Sequence, residues 1–186
     1  MAEFHIELPL TEEVTEKFHT GDRVYLTGTI YTARDEAHLY LSRMLDKGEK
    51  LPFDFNGAVI YYTGPCPAAP GMVLGPAGPT TSGRMDCYAP RFLDEGIKGM
   101  IGKGKRSMEV RNSINKNKAV YFGAVGGAAA LLCDCIKEAE VIAFPELGAE
   151  AVHRLRVENF PVTVINDCHG GDLYEEGIAK NRTDGR

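Results

Sequence analysis

Tryptophan is absent from the 186 residues, and cysteine is scarce, with five at positions 66, 87, 133, 135 and 168. An odd count without regular spacing excludes a disulfide framework and points to a reducing compartment. The start, Met1-Ala2-Glu3-Phe4-His5, has no positive stretch followed by an apolar one, so no secretory signal is expected. The longest apolar run, Ala119 to Cys133, is fifteen residues broken by Gly123, Gly126 and Gly127. A membrane span needs about twenty, so the run reads as a buried strand, turn and helix, and a cytoplasmic location is expected. Cations do not predominate: 21 Lys and Arg face 26 Asp and Glu, a net charge of −5. A chain-wide nucleic-acid surface is thereby excluded. Internal repeats and low-complexity blocks are also missing.

What is present suits a globular protein. Hydrophobic residues make up 44% and charged residues 25%, which is enough for a full core in one domain or two small ones. Val24 to Ile30 alternates as a strand, and Arg34 to Lys47 carries a helical stripe of Ala37, Leu41 and Met44. Ala58 to Tyr62, Gly99 to Ile101, Ala119 to Phe122, Val141 to Phe144 and Val162 to Ile165 read as further strands. Tyr88 to Leu93, Ala128 to Ile136 and a segment near Ala149 to Leu155 read as helices. The second half therefore predicts an alternating α/β pattern, the first half more strand with one helix. The tail from Ala179 is polar and is expected to fray.

Gly64 to Gly83 breaks the pattern, with five Gly and five Pro in twenty residues. No strand or helix interior accommodates that. The segment is either a flexible linker or an ordered loop, and its Met72, Val73 and Leu74 favour order. It ends in Gly78-Pro79-Thr80-Thr81-Ser82-Gly83-Arg84-Met85-Asp86, which suits the start of a helix. There, free N–H groups and Arg84 would attract a carboxylate, or Thr81 or Ser82 would simply cap the helix.

Between Lys98 and Lys118 seven cations stand against Glu109 alone. The run is either an anion-binding field or a solvated face; it lacks the interleaved aromatics of an RNA-binding surface. Gly102-Lys103-Gly104 lacks the glycine five residues upstream, and the hydroxyl residue after the lysine, of a nucleotide phosphate loop. Arg34, at a strand-helix junction, would face a ligand or pair with Asp35 or Glu36. Cys133-Asp134-Cys135 has no further spaced ligands, so both cysteines read as buried and structural, not as a metal site. Cys66, Cys87 and Cys168 are ambiguous, and His169 is either turn or site. No Ser-His-Asp spacing or carboxylate pair stands out.

Together the Gly78–Asp86 segment, Gly99-Met100-Ile101-Gly102-Lys103-Gly104, Gly126-Gly127-Ala128-Ala129-Ala130 and Phe160 to Tyr174 resemble a known family. It is the β subunit of the iron-sulfur hydro-lyases, the class I fumarases and L-tartrate dehydratases. That subunit is similar to the C-terminal domain of single-chain fumarases, and the resemblance runs from about Leu8 to Glu176. It implies a single domain over 1–186 with the swivelling β/β/α fold, an α/β class with a mixed sheet and flanking helices. It implies removal of water from malate to give fumarate, or from tartrate to give oxaloacetate, at an active site shared with a cluster-bearing α subunit. A 4Fe-4S cluster would be held by that partner and by no cysteine of this chain, leaving this chain inactive alone, in an α2β2 assembly or a β-β dimer.

By motif, Arg34, Arg84 and Lys103 would bind the substrate carboxylates. Thr80 would contact substrate and act as the catalytic base that takes the carbon-bound proton. A Thr hydroxyl is a weak base and needs an activating neighbour. The rival reading is a non-catalytic anion-binding module, which would keep the cations and not need Thr80.

Overall fold

The computed structural model describes residues 1–68, 70–71, 73–124 and 129–181. Of the segments singled out above, Met72, the 126–128 part of the Gly126–Ala130 motif and the end of the tail lie outside them. The strands are β1 (Glu3–Glu7), β2 (Arg23–Thr32), β3 (Val59–Tyr61), β4 (Gly99–Gly102), β5 (Val120–Gly123), β6 (Ile136–Ala143) and β7 (Val152–Asn166). The helices are α1 (Glu12–Thr15), α2 (Asp35–Lys47), α3 (Ala89–Asp94), α4 (Met108–Lys116), α5 (Ala129–Asp134) and α6 (Leu173–Asn181). Two 3-10 segments, Ser82–Met85 and Pro145–Glu150, complete the elements of the described residues.

Alternation along the strands builds two cores, because successive side chains point to opposite faces. Val24, Leu26, Val59, Tyr61, Ile101, Val120, Phe122, Leu155 and Phe160 share one buried cluster. Their neighbours Ile60, Tyr62, Met100, Tyr121 and Ile165 belong to a second, with Ala37 and Leu41 of α2, Phe92 and Leu93 of α3, and Val110 and Ile114 of α4. The short parallel strands are thus buried on both sides, as helix-covered parallel strands are. Helix α2 opens with Asp35 and Glu36 and closes with Lys47, charges that complement its dipole.

β2, β3, β4 and β5 run parallel. β7 is antiparallel to β5 through Phe122↔Val164 and to β2 from Arg23↔Thr163 to Tyr31↔Arg154. The pairing therefore returns to its start and the sheet closes, with β1 added beside β2 and β6 beside β7. The first cluster is the interior of this closed sheet, and the helices cover the second. This is a mixed sheet with flanking helices, in agreement with the expected α/β class.

Three readings of the sequence are corrected. The helix expected near Ala149–Leu155 is the end of a 3-10 segment followed by β7. Leu155 and Val157 go to the interior while Arg154 and Arg156 stay outside and pair with Glu140 and Glu138 of β6; such cross-strand pairs define a hairpin, not a helix. The helix expected to reach Ile136 stops at Asp134, because Ile136 already pairs with Val157. The basic run contains a helix, α4, that its charges conceal.

Gly102, at the end of β4, has no room for a side chain. A Cβ there would lie 1.9 Å from the Ser82 hydroxyl, which is buried and 2.9 Å from the Tyr121 hydroxyl. Gly102→Ala is expected to destabilise the fold by about 1–3 kcal/mol, the usual cost of overpacking. A lowered urea midpoint checks this; an unchanged midpoint would mean that the Ser82 turn yields freely.

Candidate functional site

The four residues proposed from sequence converge on one end of the parallel strands. Arg34 stands two residues past β2, and Lys103 directly follows β4. Thr80 reaches the end of β3 across the Gly/Pro loop, its N–H donating to the Tyr62 carbonyl at 2.6 Å. The Lys103 N–H donates to the Thr80 carbonyl (3.2 Å) and the Ser82 N–H to the Lys103 carbonyl (2.9 Å), so both segments share one backbone ladder. Arg84 lies on the 3-10 turn that follows, its guanidinium 3.3 Å from Asp35, the neighbour of Arg34. The carboxyl ends of parallel strands are where α/β sheets bind ligands.

The described part of the Gly/Pro loop is tied at several points. The Tyr61 hydroxyl donates to the Ala77 carbonyl at 2.5 Å and the Thr63 hydroxyl to the Gly78 carbonyl at 2.8 Å. The Cys66 N–H donates to the Pro76 carbonyl at 3.1 Å. These bonds support the ordered-loop reading. The helix expected at its end is a four-residue 3-10 turn whose preceding residue, Thr81, makes no side-chain capping bond. The hydroxyl cap expected from Thr81 is therefore not made.

Arg34 pairs with neither Asp35 nor Glu36. Its Nη2 is 3.2 Å from Glu150, whose other oxygen accepts from the Glu36 N–H at 3.0 Å. Arg34 lies close against Gly64: a Cβ on that residue would lie 2.6 Å from Nη1. Glu150 is 116 positions away, and nothing in the local sequence announces it. Two of the three cations at the site are thus held by carboxylates of the same chain, Glu150 and Asp35, while Lys103 is exposed and makes no ion pair among the described residues.

The basic run divides. Lys98 pairs with Glu12, Arg106 with Asp86, Arg111 with Asp172 and Glu175, Lys116 with Asp94, and Lys118 with Glu16. Among the described residues Lys103 and Lys105 alone of the seven make no ion pair, and both are exposed. The positive field that sequence spreads over 21 positions contracts to the end of β4, next to Thr80 and Arg84.

None of the five cysteines is in a disulfide. Cys133 and Cys135, expected to be buried, are partly exposed, because α5 ends between them at Asp134. Among the described residues no three His, Cys, Asp or Glu side chains are grouped to hold a metal. His169 belongs to a turn: Asp167 accepts from the N–H groups of His169, Gly171 and Thr20, and the His169 ring reaches the Glu16 carbonyl at 2.9 Å.

The sequence model of the family described as fumarase C-terminus matches residues 2–177. The chain is 42% identical over 165 residues to fumarate hydratase 2 of Leishmania major, covering 88% of this chain and 29% of that protein. It is 43% identical over 173 residues to a putative L(+)-tartrate dehydratase subunit beta of Methanocaldococcus jannaschii, covering 90% of this chain and 89% of that one. It is 39% identical over 166 residues to the anaerobic class I fumarate hydratase of Escherichia coli, covering 88% and 30%. The chain spans about a third of the fumarate hydratases that it matches and nearly all of the tartrate dehydratase subunit.

His38, in the first turn of α2, is fully buried. Its ring is stacked on Phe92 at 5.1 Å, with Nδ1 donating to the Arg34 carbonyl at 2.8 Å. Nε2 is buried without a partner. Burial pushes its pKa from 6.5 down to about 4, against the Arg34 carbonyl bond. The unfolded chain therefore takes a proton near pH 6.5 that the folded chain refuses until near pH 4. Stability from this group is full above the upper value and declines as pH falls to the lower, by up to about 3 kcal/mol. His38→Gln is expected to flatten that part of the acid limb, read as unfolding free energy at pH 7 and 4.5; an equal fall in both proteins would refute it.

Proposed function

This chain belongs to the fumarase C-terminus family, and we propose that it is the β subunit of an iron-sulfur hydro-lyase interconverting malate and fumarate. Residues 1–186 would form a single domain of that type, supplying half of an active site completed by a cluster-bearing α subunit. The observation that carries this reading is the gathering of Arg34, Thr80, Arg84 and Lys103 at one end of the parallel strands, with the Thr80 and Lys103 backbones bonded to each other.

The residues suit a four-carbon dicarboxylate. The arginine forks match carboxylates in a planar, two-bond geometry, and Lys103 adds a compact, mobile charge. Removing a proton from the carbon beside a carboxylate places further negative charge on it, which fixed cations stabilise. Thr80 is the base of this scheme. Its hydroxyl has no hydrogen-bond partner among the described residues, so whatever activates it belongs to the completed site. Asp35 and Glu150 leave the three cations a local charge of only +1, so this half alone would hold a dianion weakly.

The 4Fe-4S cluster of the scheme is assigned to the partner subunit, where it would supply the Lewis-acid chemistry of the dehydration. The assembly would be α2β2, or contain a β-β dimer, in the cytoplasm. No helix among the described residues is long and apolar enough to cross a membrane. Tartrate is the second reading of the substrate, favoured by the relative of matching length, whose name is that of a tartrate dehydratase subunit.

Mixing the chain anaerobically with its cluster-bearing partner and offering malate, fumarate and tartrate in parallel tests the proposal. Turnover is expected in the mixture only. Arg84→Ala is expected to raise KM about 10- to 100-fold, the worth of a charged hydrogen bond. Thr80→Ala is expected to lower kcat by about 100-fold or more. Turnover by the chain alone would refute the half-site. An inert complex with an intact cluster would make the chain an anion-binding module.

A further inference from the structure

Beneath the exposed cations lies a charge that the proposed chemistry does not use. The Arg106 side chain is 0% exposed. Its guanidinium lies over Tyr62 and Tyr121, 5.3 and 4.9 Å from the ring centroids. Nε donates to Asp86 Oδ1 at 2.7 Å, Nη1 faces the Met100 sulfur at 3.4 Å, and Nη2 is buried without a hydrogen-bond partner. Removing a cation from water is costly, and an imperfectly satisfied buried pair is often no more stable than apolar residues of the same volume. Stability alone does not account for Arg106.

Its connections do. Asp86 stands two residues after Arg84 and ends the 3-10 turn. Its second oxygen accepts from the Ser107 N–H at 2.6 Å, and Ser107 caps α4 by accepting from the Val110 N–H. Arg106 stands three residues after Lys103. The segment carrying Thr80 and Arg84 is therefore tied to the segment carrying Lys103 twice: by the backbone ladder at Thr80, Ser82 and Lys103, and by Asp86 with Arg106 and Ser107. A third bond chain runs from the Ser82 hydroxyl through the Tyr121 hydroxyl to the Gly104 carbonyl.

We propose that Arg106 and Asp86 are positioning residues, a buried joint that sets the spacing of Arg84 and Lys103 and so the fit of a dicarboxylate between them. The inference rests on the hydro-lyase reading for its substrate, but the joint itself is a property of this chain. A planar guanidinium between two rings resists rotation, and one carboxylate accepting from both an arginine and a main-chain N–H fixes the turn that bears it. Neither residue touches substrate.

The test combines Asp86→Asn with Arg106→Gln, which removes both charges together and keeps a hydrogen bond available. Arg106→Lys, which keeps the charge and loses the planar fork, is made beside it. Lys116→Gln, which breaks only the exposed pair with Asp94, is the control. Each chain is measured alone by hydrogen exchange, and in complex with the cluster-bearing partner by turnover of malate, fumarate and tartrate. Folded variants of the joint are expected to raise KM about tenfold with a smaller change in kcat, the mark of lost ground-state binding. Exchange is expected to accelerate about tenfold over 80–86 and 103–107 and not in β2 or β7. The control is expected to match the parent in both.

Unchanged KM and unchanged exchange in a folded variant would overturn the proposal, as would failure of both joint variants to fold, which would make the pair a stability element. If the parent complex turns over none of malate, fumarate and tartrate, the hydro-lyase reading falls, and the exchange data decide the joint by themselves.

Discussion

The fifteen-residue strand β7 pairs with β2 along one edge and with β6 and then β5 along the other. Four parallel strands of three to ten residues, with their crossover helices, would leave two open edges and one exposed face. β7 closes them, so the interior is sealed by Leu155, Val157, Phe160, Val162 and Val164. The turn ahead of β7 matters equally, because Glu150, two residues before the strand, reaches back to Arg34 and the first turn of α2. Closing the sheet and orienting a candidate ligand-binding arginine are thus consequences of one hairpin.

Charge is distributed by the same logic. In water, seven cations in a row would form a diffuse field, screened within about 10 Å. On the folded chain five of them meet carboxylates supplied by α1, α3, α6 and the 3-10 turn. What is left unpaired sits at the end of β4. The arginines at the site are not free either; each leans on an internal carboxylate, which holds it in place while reducing the net attraction for an anion. Such an arrangement suits a half-site whose remaining attraction for the substrate comes from elsewhere, and it argues against tight anion binding by the chain alone.

Much of the fold was legible along the chain, and the reasons are local. Alternation in Val24 to Ile30 and the apolar stripe of Arg34 to Lys47 report burial on one side at a fixed period, and both elements appear where expected. The segment near Ala149 to Leu155 reads as a helix along the chain because charged Arg154 and Arg156 interrupt the apolar residues there and just beyond. Their partners, Glu140 and Glu138, lie on another strand, so the pattern makes sense only as a pair. Helix α4 was hidden for a related reason: Val110 and Ile114 are its only wholly buried large apolar residues, and its cations distract from that stripe.

The amino-acid sequence by itself determined the α/β class and the family, and it singled out Arg34, Thr80, Arg84 and Lys103 as candidates, since these are carried by contiguous motifs and short-range periodicity. Tertiary structure alone decided which charges remain available. It placed Glu150 on Arg34, Asp35 on Arg84 and Asp86 on a fully buried Arg106. These pairings join residues 20 to 116 positions apart or select among several neighbours. Electrostatic energy depends on distance through space and on burial, and neither is written in the order of the residues.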